Sequence, residues 1–181
     1  TLGAVSTAEH LTGQGASVDV GRVLPIAICF GVSILAMAYS IGHMSGGHMN
    51  PGVSLMMFFR GQISMSKMMG YWVAQFLGAM LASALVWGSC SDMQGRVTAS
   101  GSEISRTPFT LGATTLNPEI SSANGFLLEF MGSFIFYFVI AQTALDKRGV
   151  ATSSFPAIPI GLVLVVVHVG LIPFTGCGVN P

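Results

Sequence analysis

The sequence predicts an all-α membrane protein, a helical bundle of two similar halves whose broken helices meet near the bilayer midplane. Three observations carry this. The chain is 51% hydrophobic and 8% charged, with a mean hydropathy of +0.71, whereas soluble domains carry roughly 25% charged residues. Its apolar residues gather into runs near bilayer-spanning length. The dipeptide Asn-Pro also stands in two matching settings, Ser45-Gly46-Gly47-His48-Met49-Asn50-Pro51 and Thr175-Gly176-Cys177-Gly178-Val179-Asn180-Pro181. Asparagine is a favoured helix N-cap and proline fits the first helical position, so each copy reads as a helix start.

In chain order, Thr1 to Val5 reads as the end of an earlier span and is followed by a polar stretch, Ser6 to Gly21. Leu24 to Ile41 is the first full candidate span, Met68 to Gly88 the second, Phe126 to Leu145 the third and Ala157 to Ile172 the fourth. A crossing helix needs about 17–25 residues, so the fourth is marginal unless its flanks join it. Asn50 to Phe59 is too short to cross and follows the Gly/His/Ser stretch His43 to His48, which predicts a re-entrant half-helix lining a pore or packed in a bundle. The long polar connection Ser89 to Ala123 holds a third Asn-Pro, Asn117-Pro118. Its neighbours Thr115 and Glu119 match neither other copy, so it reads as a turn or the start of a helix.

The two Asn-Pro copies also give a register. A shift of 130 residues sets Asn50 on Asn180, Gly46 on Gly176, Ser45 on Thr175, Ile41 on Leu171 and Gly31 on Gly161. Glycines at matching places in two spans would let those helices cross closely. The organisation predicted is one transmembrane domain over 1–181, with a partial first repeat (1–88), a connection (89–121) and a partial second repeat (122–181). The chain lacks a starting methionine and stops at a proline that ought to open a helix, so it reads as an internal fragment.

Charge placement gives an orientation. Arg60, Lys67, Lys147 and Arg148 fall in two short connections on one side, whereas Arg22, Arg96 and Arg106 are spread on the other among Glu9, Asp19, Asp92, Glu103 and Glu119. The positive-inside rule makes the first side cytoplasmic. A net charge of +0 and a pI near 6.8 give no reason to expect nucleic acid as a partner. Cys29, Cys90 and Cys177 are odd in number and lack metal-ligand spacing, so no disulfide framework, zinc site or other cofactor is indicated.

At the Asn-Pro boxes the chain resembles the aquaporins of the major intrinsic protein family, and the resemblance runs over essentially its whole length. Two departures stand out: Gly52 occupies a position that is usually alanine, and the residue after Pro181 is absent. The resemblance implies an aquaporin-like inverted repeat, in which six spans and two half-helices form an hourglass around a single-file water pore, assembled as a homotetramer in the plasma membrane. It assigns Asn50, Pro51, Gly52, Asn180 and Pro181 to the pore boxes. Phe30, His168 and Cys177 fall at filter positions, and a filter arginine is expected three residues past Asn180. His48 is implied as a brace for the half-helix and Glu129 as a buried acceptor holding a re-entrant loop, with proton relay the alternative for Glu129.

The physics of such a pore suits those residues. Asparagine carbonyls held by helix-start N–H groups leave their amide NH2 groups as donors to passing water. Each half-helix also presents about half an elementary positive charge to the centre. Gly52 is expected to weaken the first half-helix by up to ~1 kcal/mol relative to alanine. Phe30 with His168 suits water over the wider glycerol. A glycerol or small-solute channel and a non-conducting adhesion or scaffold protein are the alternatives. Enzymatic chemistry is not expected, because a Cys177–His168 pair lacks both an orienting acid and an oxyanion site. Ser153 and Ser154, beside Lys147 and Arg148, read as ordinary loop serines, with a phosphorylation-controlled gate the alternative.

Overall fold

The computed structural model describes residues 20–90, 111–146, 148 and 155–181. The predicted residues Thr1 to Val5, Arg96, Arg106, Lys147, Ser153 and Ser154 lie outside that set. The described residues form helices α1 (Val20–Ser45), α2 (Pro51–Phe59), α3 (Met65–Cys90), α4 (Ser122–Ile140) and α5 (Ala157–Thr175), and a π-helical turn, Ala141–Leu145, extends α4. Four of these helices are long and apolar enough to cross a bilayer; α2 is the short one.

The centre of the molecule is the crossing of α1 and α5. A side chain on Gly31 would overlap the Gly161 carbonyl, and one on Gly161 would lie 2.8 Å from the Gly31 carbonyl and 2.9 Å from Leu35 Cβ. The register-matched glycines therefore bring two backbones into direct contact, as their spacing predicts. Such close approach is how helices associate in lipid, where burial of apolar surface supplies no drive. Against α5 packs α4, with Gly132 set opposite Leu171 and Val167. Val53 and Met57 of α2 join Phe136, Ile140, Leu164, Val167, Leu171, Cys177 and Val179 in one buried cluster. The half-helix thus drives its first turn into the core, and Ser54 is fully buried.

The fourth span is longer than its apolar run suggested. Helix α5 continues through Pro173 to Thr175, giving 19 residues. Its last turn is held from outside, since Asn117 donates its backbone N–H to the Phe174 carbonyl (2.8 Å) and its Nδ2 to that of Pro173 (3.2 Å). These carbonyls have no partner within the helix. Asn117-Pro118 is accordingly a turn, closed by bonds from Glu119 and Ile120 back to Asn117. Helix α4 begins under the N-cap Ser121, whose hydroxyl accepts from Asn124. Beyond its π turn, Arg148 clamps Asp146 through two guanidinium bonds (2.8 and 3.0 Å) and holds its carboxyl down at about 2.

Candidate functional site

Both Asn-Pro loops leave their helices by the same route. Ser45 bonds back to the Ile41 carbonyl (3.2 Å) and accepts from the N–H of Gly47 (3.2 Å). Thr175 sits in the same way, its Oγ1 3.3 Å from the Leu171 carbonyl and accepting from the N–H of Cys177 (3.2 Å), although its one hydrogen goes to the Glu129 carboxylate. The next two residues take left-handed backbone in each loop, Gly46 and Gly47 at φ 86° and 65°, Gly176 and Cys177 at 76° and 63°. Cys177 is the one non-glycine of the four, in a region that costs a side-chain-bearing residue roughly 1–2 kcal/mol.

The two loops then meet. Asn50 is the N-cap of α2, its Oδ1 accepting from Gly52 N (2.8 Å) and Val53 N (3.4 Å). Its Nδ2 donates across the molecule to the Val179 carbonyl (3.0 Å), while Asn180 Nδ2 donates to the Met49 carbonyl (3.2 Å). Each asparagine thus bonds the residue that precedes the other. These partners fix which end of the Asn50 amide is nitrogen. One N–H of each NH2 is engaged in the crossing, so one donor per asparagine remains rather than the whole group.

Each loop has its own brace. In the first, His48 is nearly buried and stacks on Tyr71 with centroids 4.6 Å apart, and its Nδ1 lies 3.4 Å from Ser54 Oγ. Helix α3 adds three donors to loop carbonyls: Tyr71 to Ser45, Trp72 Nε1 to Pro51 (3.0 Å) and Gln75 Nε2 to His48 (2.7 Å). In the second loop the Glu129 carboxylate accepts from Gly178 N (2.9 Å) and from the Thr175 hydroxyl through the same oxygen.

Of the other sequence-selected residues, Phe30 and His168 are brought together as a stacked pair, 4.2 Å between centroids and 24° between planes. His168 is buried, and its Nδ1 lies 2.9 Å from the Leu164 carbonyl. A carbonyl only accepts, so Nδ1 carries the hydrogen and Nε2 is the free nitrogen. Cys177 is a buried free thiol in the core cluster against which Phe30 packs. Pro181 shares with Gly178, Val179 and Tyr137 the lining of an open recess on the surface.

Sequence reasoning missed Tyr71, Trp72, Gln75 and Tyr137. Tyr137, on α4, directs its hydroxyl at Asn50 Oδ1 (3.3 Å) and the Val179 carbonyl (3.1 Å). The available signal was a polar atom inside an apolar run, which in lipid must find a partner. The expected effect of Gly52, a weaker helix start, leaves out its main consequence, since a Cβ there would overlap the Tyr137 hydroxyl.

Comparison with known proteins gives one family. The Major intrinsic protein profile matches residues 2–181. Aquaporin FA-CHIP of Pelophylax lessonae is 34% identical over 172 residues, covering 93% of this chain and 58% of that protein. Probable aquaporin PIP2-7 of Oryza sativa subsp. japonica is 34% identical over 187 residues (98% and 59%), and Aquaporin-1 of Homo sapiens 32% over 156 (86% and 53%). The chain therefore spans somewhat over half the length of these relatives. Among solved structures, the aquaglyceroporin from Plasmodium falciparum shares the fold at a TM-score of 0.75 and 24% identity, over 99% of this chain and 70% of that one.

Proposed function

This chain belongs to the major intrinsic protein family, and we propose that it forms the greater part of a passive, single-file water pore. The observation that carries the reading is the reciprocal crossing of the asparagines, Asn50 to Val179 and Asn180 to Met49, which sets two amide donors side by side at the meeting point of both loops. A water passing there accepts from each remaining N–H and is turned so that its own hydrogens point away from the centre. The positive end of α2 opposes cations and hydronium at the same place. Phe30, His168 and Cys177 narrow one approach, and the free Nε2 of His168 supplies a polar contact to the permeant.

The aquaporin names of the relatives support water as the permeant. We assign His48 and Glu129 to bracing the loops, residues 1–88 and 122–181 to two partial repeats joined by 89–121, and the protein to a homotetramer in the plasma membrane. Stopped-flow osmotic shrinkage of liposomes containing the complete protein tests the reading. Water permeability well above that of empty vesicles, with glycerol excluded, is the expected result. Folded tetramers that leave permeability at the empty-vesicle value would reject it in favour of a scaffold role, and glycerol entry as fast as water would make the pore a solute channel.

A further inference from the structure

We propose that Tyr137 is a positioning residue for the paired asparagines and that it acts as one unit with Gly52. Its functional consequence rests on the water-pore reading; its geometry does not. The Tyr137 hydroxyl carries one hydrogen and faces two carbonyl acceptors, Asn50 Oδ1 at 3.3 Å and Val179 at 3.1 Å, one from each loop. The Asn50 Nδ2 closes the triangle by donating to the same Val179 carbonyl at 3.0 Å. A side chain from α4, 87 residues away in sequence from Asn50, therefore ties both halves of the site to one helix.

This arrangement holds the amide the right way round. The Asn50 Oδ1 accepts from Gly52 N and Val53 N and shares the single Tyr137 hydrogen with the Val179 carbonyl, while Nδ2 faces that carbonyl. Reversing the amide would set N–H against N–H and oxygen against oxygen, leaving buried polar groups unpaired. Orientation of the remaining Asn50 N–H is the property on which an amide-lined pore depends, and Tyr137 restrains it from the rear.

The space that the hydroxyl needs explains residue 52. A Cβ at that position would overlap Tyr137 Oη, lie 2.7 Å from Tyr137 Cζ and sit 3.2 Å from Asn50 Oδ1. Helix propensity alone disfavours glycine there, yet any side chain would push the ring back and break both hydroxyl contacts. A missing methyl on α2 and a long polar side chain on α4 are thus two sides of one fit.

The test is a double-mutant cycle in the complete protein, with G52A, Y137F, Y137V and G52A/Y137V reconstituted in liposomes. Water permeability per folded channel and thermal melting in detergent are both read. Y137F keeps the ring and loses only the hydroxyl; it is expected to lower permeability about twofold to tenfold, the range of one neutral hydrogen bond. G52A is expected to lose at least as much, and G52A/Y137V to recover above G52A because the methyl then has room. Y137F at the wild-type rate would reduce Tyr137 to packing and overturn the positioning role. A double variant no better than G52A would overturn the pairing. Should the wild type conduct no water, the pore reading fails while the melting cycle still decides the pair, non-additive melting upholding it and additive melting overturning it.

Discussion

Replacing Glu129 with alanine removes the only side-chain acceptor that the described residues give to the Gly178 N–H, and with it the carboxylate bonded by the Thr175 hydroxyl. Both donors converge on one charged oxygen, and hydrogen bonds to charged groups contribute about 1.5–3 kcal/mol each, so the two together hold the second loop by about 4 kcal/mol. At 1.4 kcal/mol per factor of ten, the open loop rises about a thousandfold in Glu129→Ala. Glu129→Gln keeps an oxygen in place and drops the charge, so neutral bonds of about 0.5–1.5 kcal/mol remain and the rise is about thirtyfold. Hydrogen–deuterium exchange of the complete protein, read by mass spectrometry on peptides covering residues 175–181, measures that opening directly. The expected order of protection is wild type, then Gln, then Ala, with water permeability following it. Unchanged exchange in Glu129→Ala would show that the loop stands without the carboxylate. Equal exchange in the two variants would refute the stabilising role of an oxygen acceptor at this position.

Two further outcomes follow from the geometry. Gly161→Val sets a branched side chain against the Gly31 carbonyl and Leu35, and is expected to cost about 1–3 kcal/mol or more, seen as a lowered melting temperature; Gly78→Ala, with nothing within 4 Å, is the control and is expected to hold or gain up to ~1 kcal/mol. Mercuric ions are soft and bind sulfur, and burial pushes the Cys177 thiol up to about 12, so block of wild-type water flow is expected to be slow near neutral pH and faster as pH rises, with Cys177→Ser insensitive and Cys29→Ser still blocked. Equal sensitivity of wild type and Cys177→Ser in stopped-flow traces would remove Cys177 from the lumen.

The spans, the half-helix and the meeting of the two boxes were legible because each has a local signature. Apolar run length marks a span, Asn-Pro marks a helix start, and one 130-residue register predicted that Gly31 would face Gly161. The ends of elements were less legible. Ala157 to Ile172 read as marginal in length unless its flanks joined it, and one does, because Asn117 supplies the partners that let α5 run on through Pro173 to Thr175. The π turn at Ala141–Leu145 has no composition signal that separates it from the end of α4. The braces were hidden for a different reason. Tyr71, Trp72 and Gln75 bond to main-chain carbonyls 21–27 residues away, and Tyr137 to groups 42 and 87 residues away. A backbone carbonyl looks the same in every residue, so no pairing pattern could announce them. Gly52 was visible as a departure, but only the position of Tyr137 shows what it makes room for.

The crossed amide bonds also govern how this molecule is made. They join residues 129 and 131 places apart, so at roughly 5–20 residues per second Asn50 leaves the ribosome about 10 s before Val179 exists. Through that interval its Nδ2 and the Met49 carbonyl lack the partners they have in the finished fold, and carrying them alone into hydrocarbon is penalised by several kcal/mol. The first box therefore cannot reach its final set of bonds until the second has been synthesised.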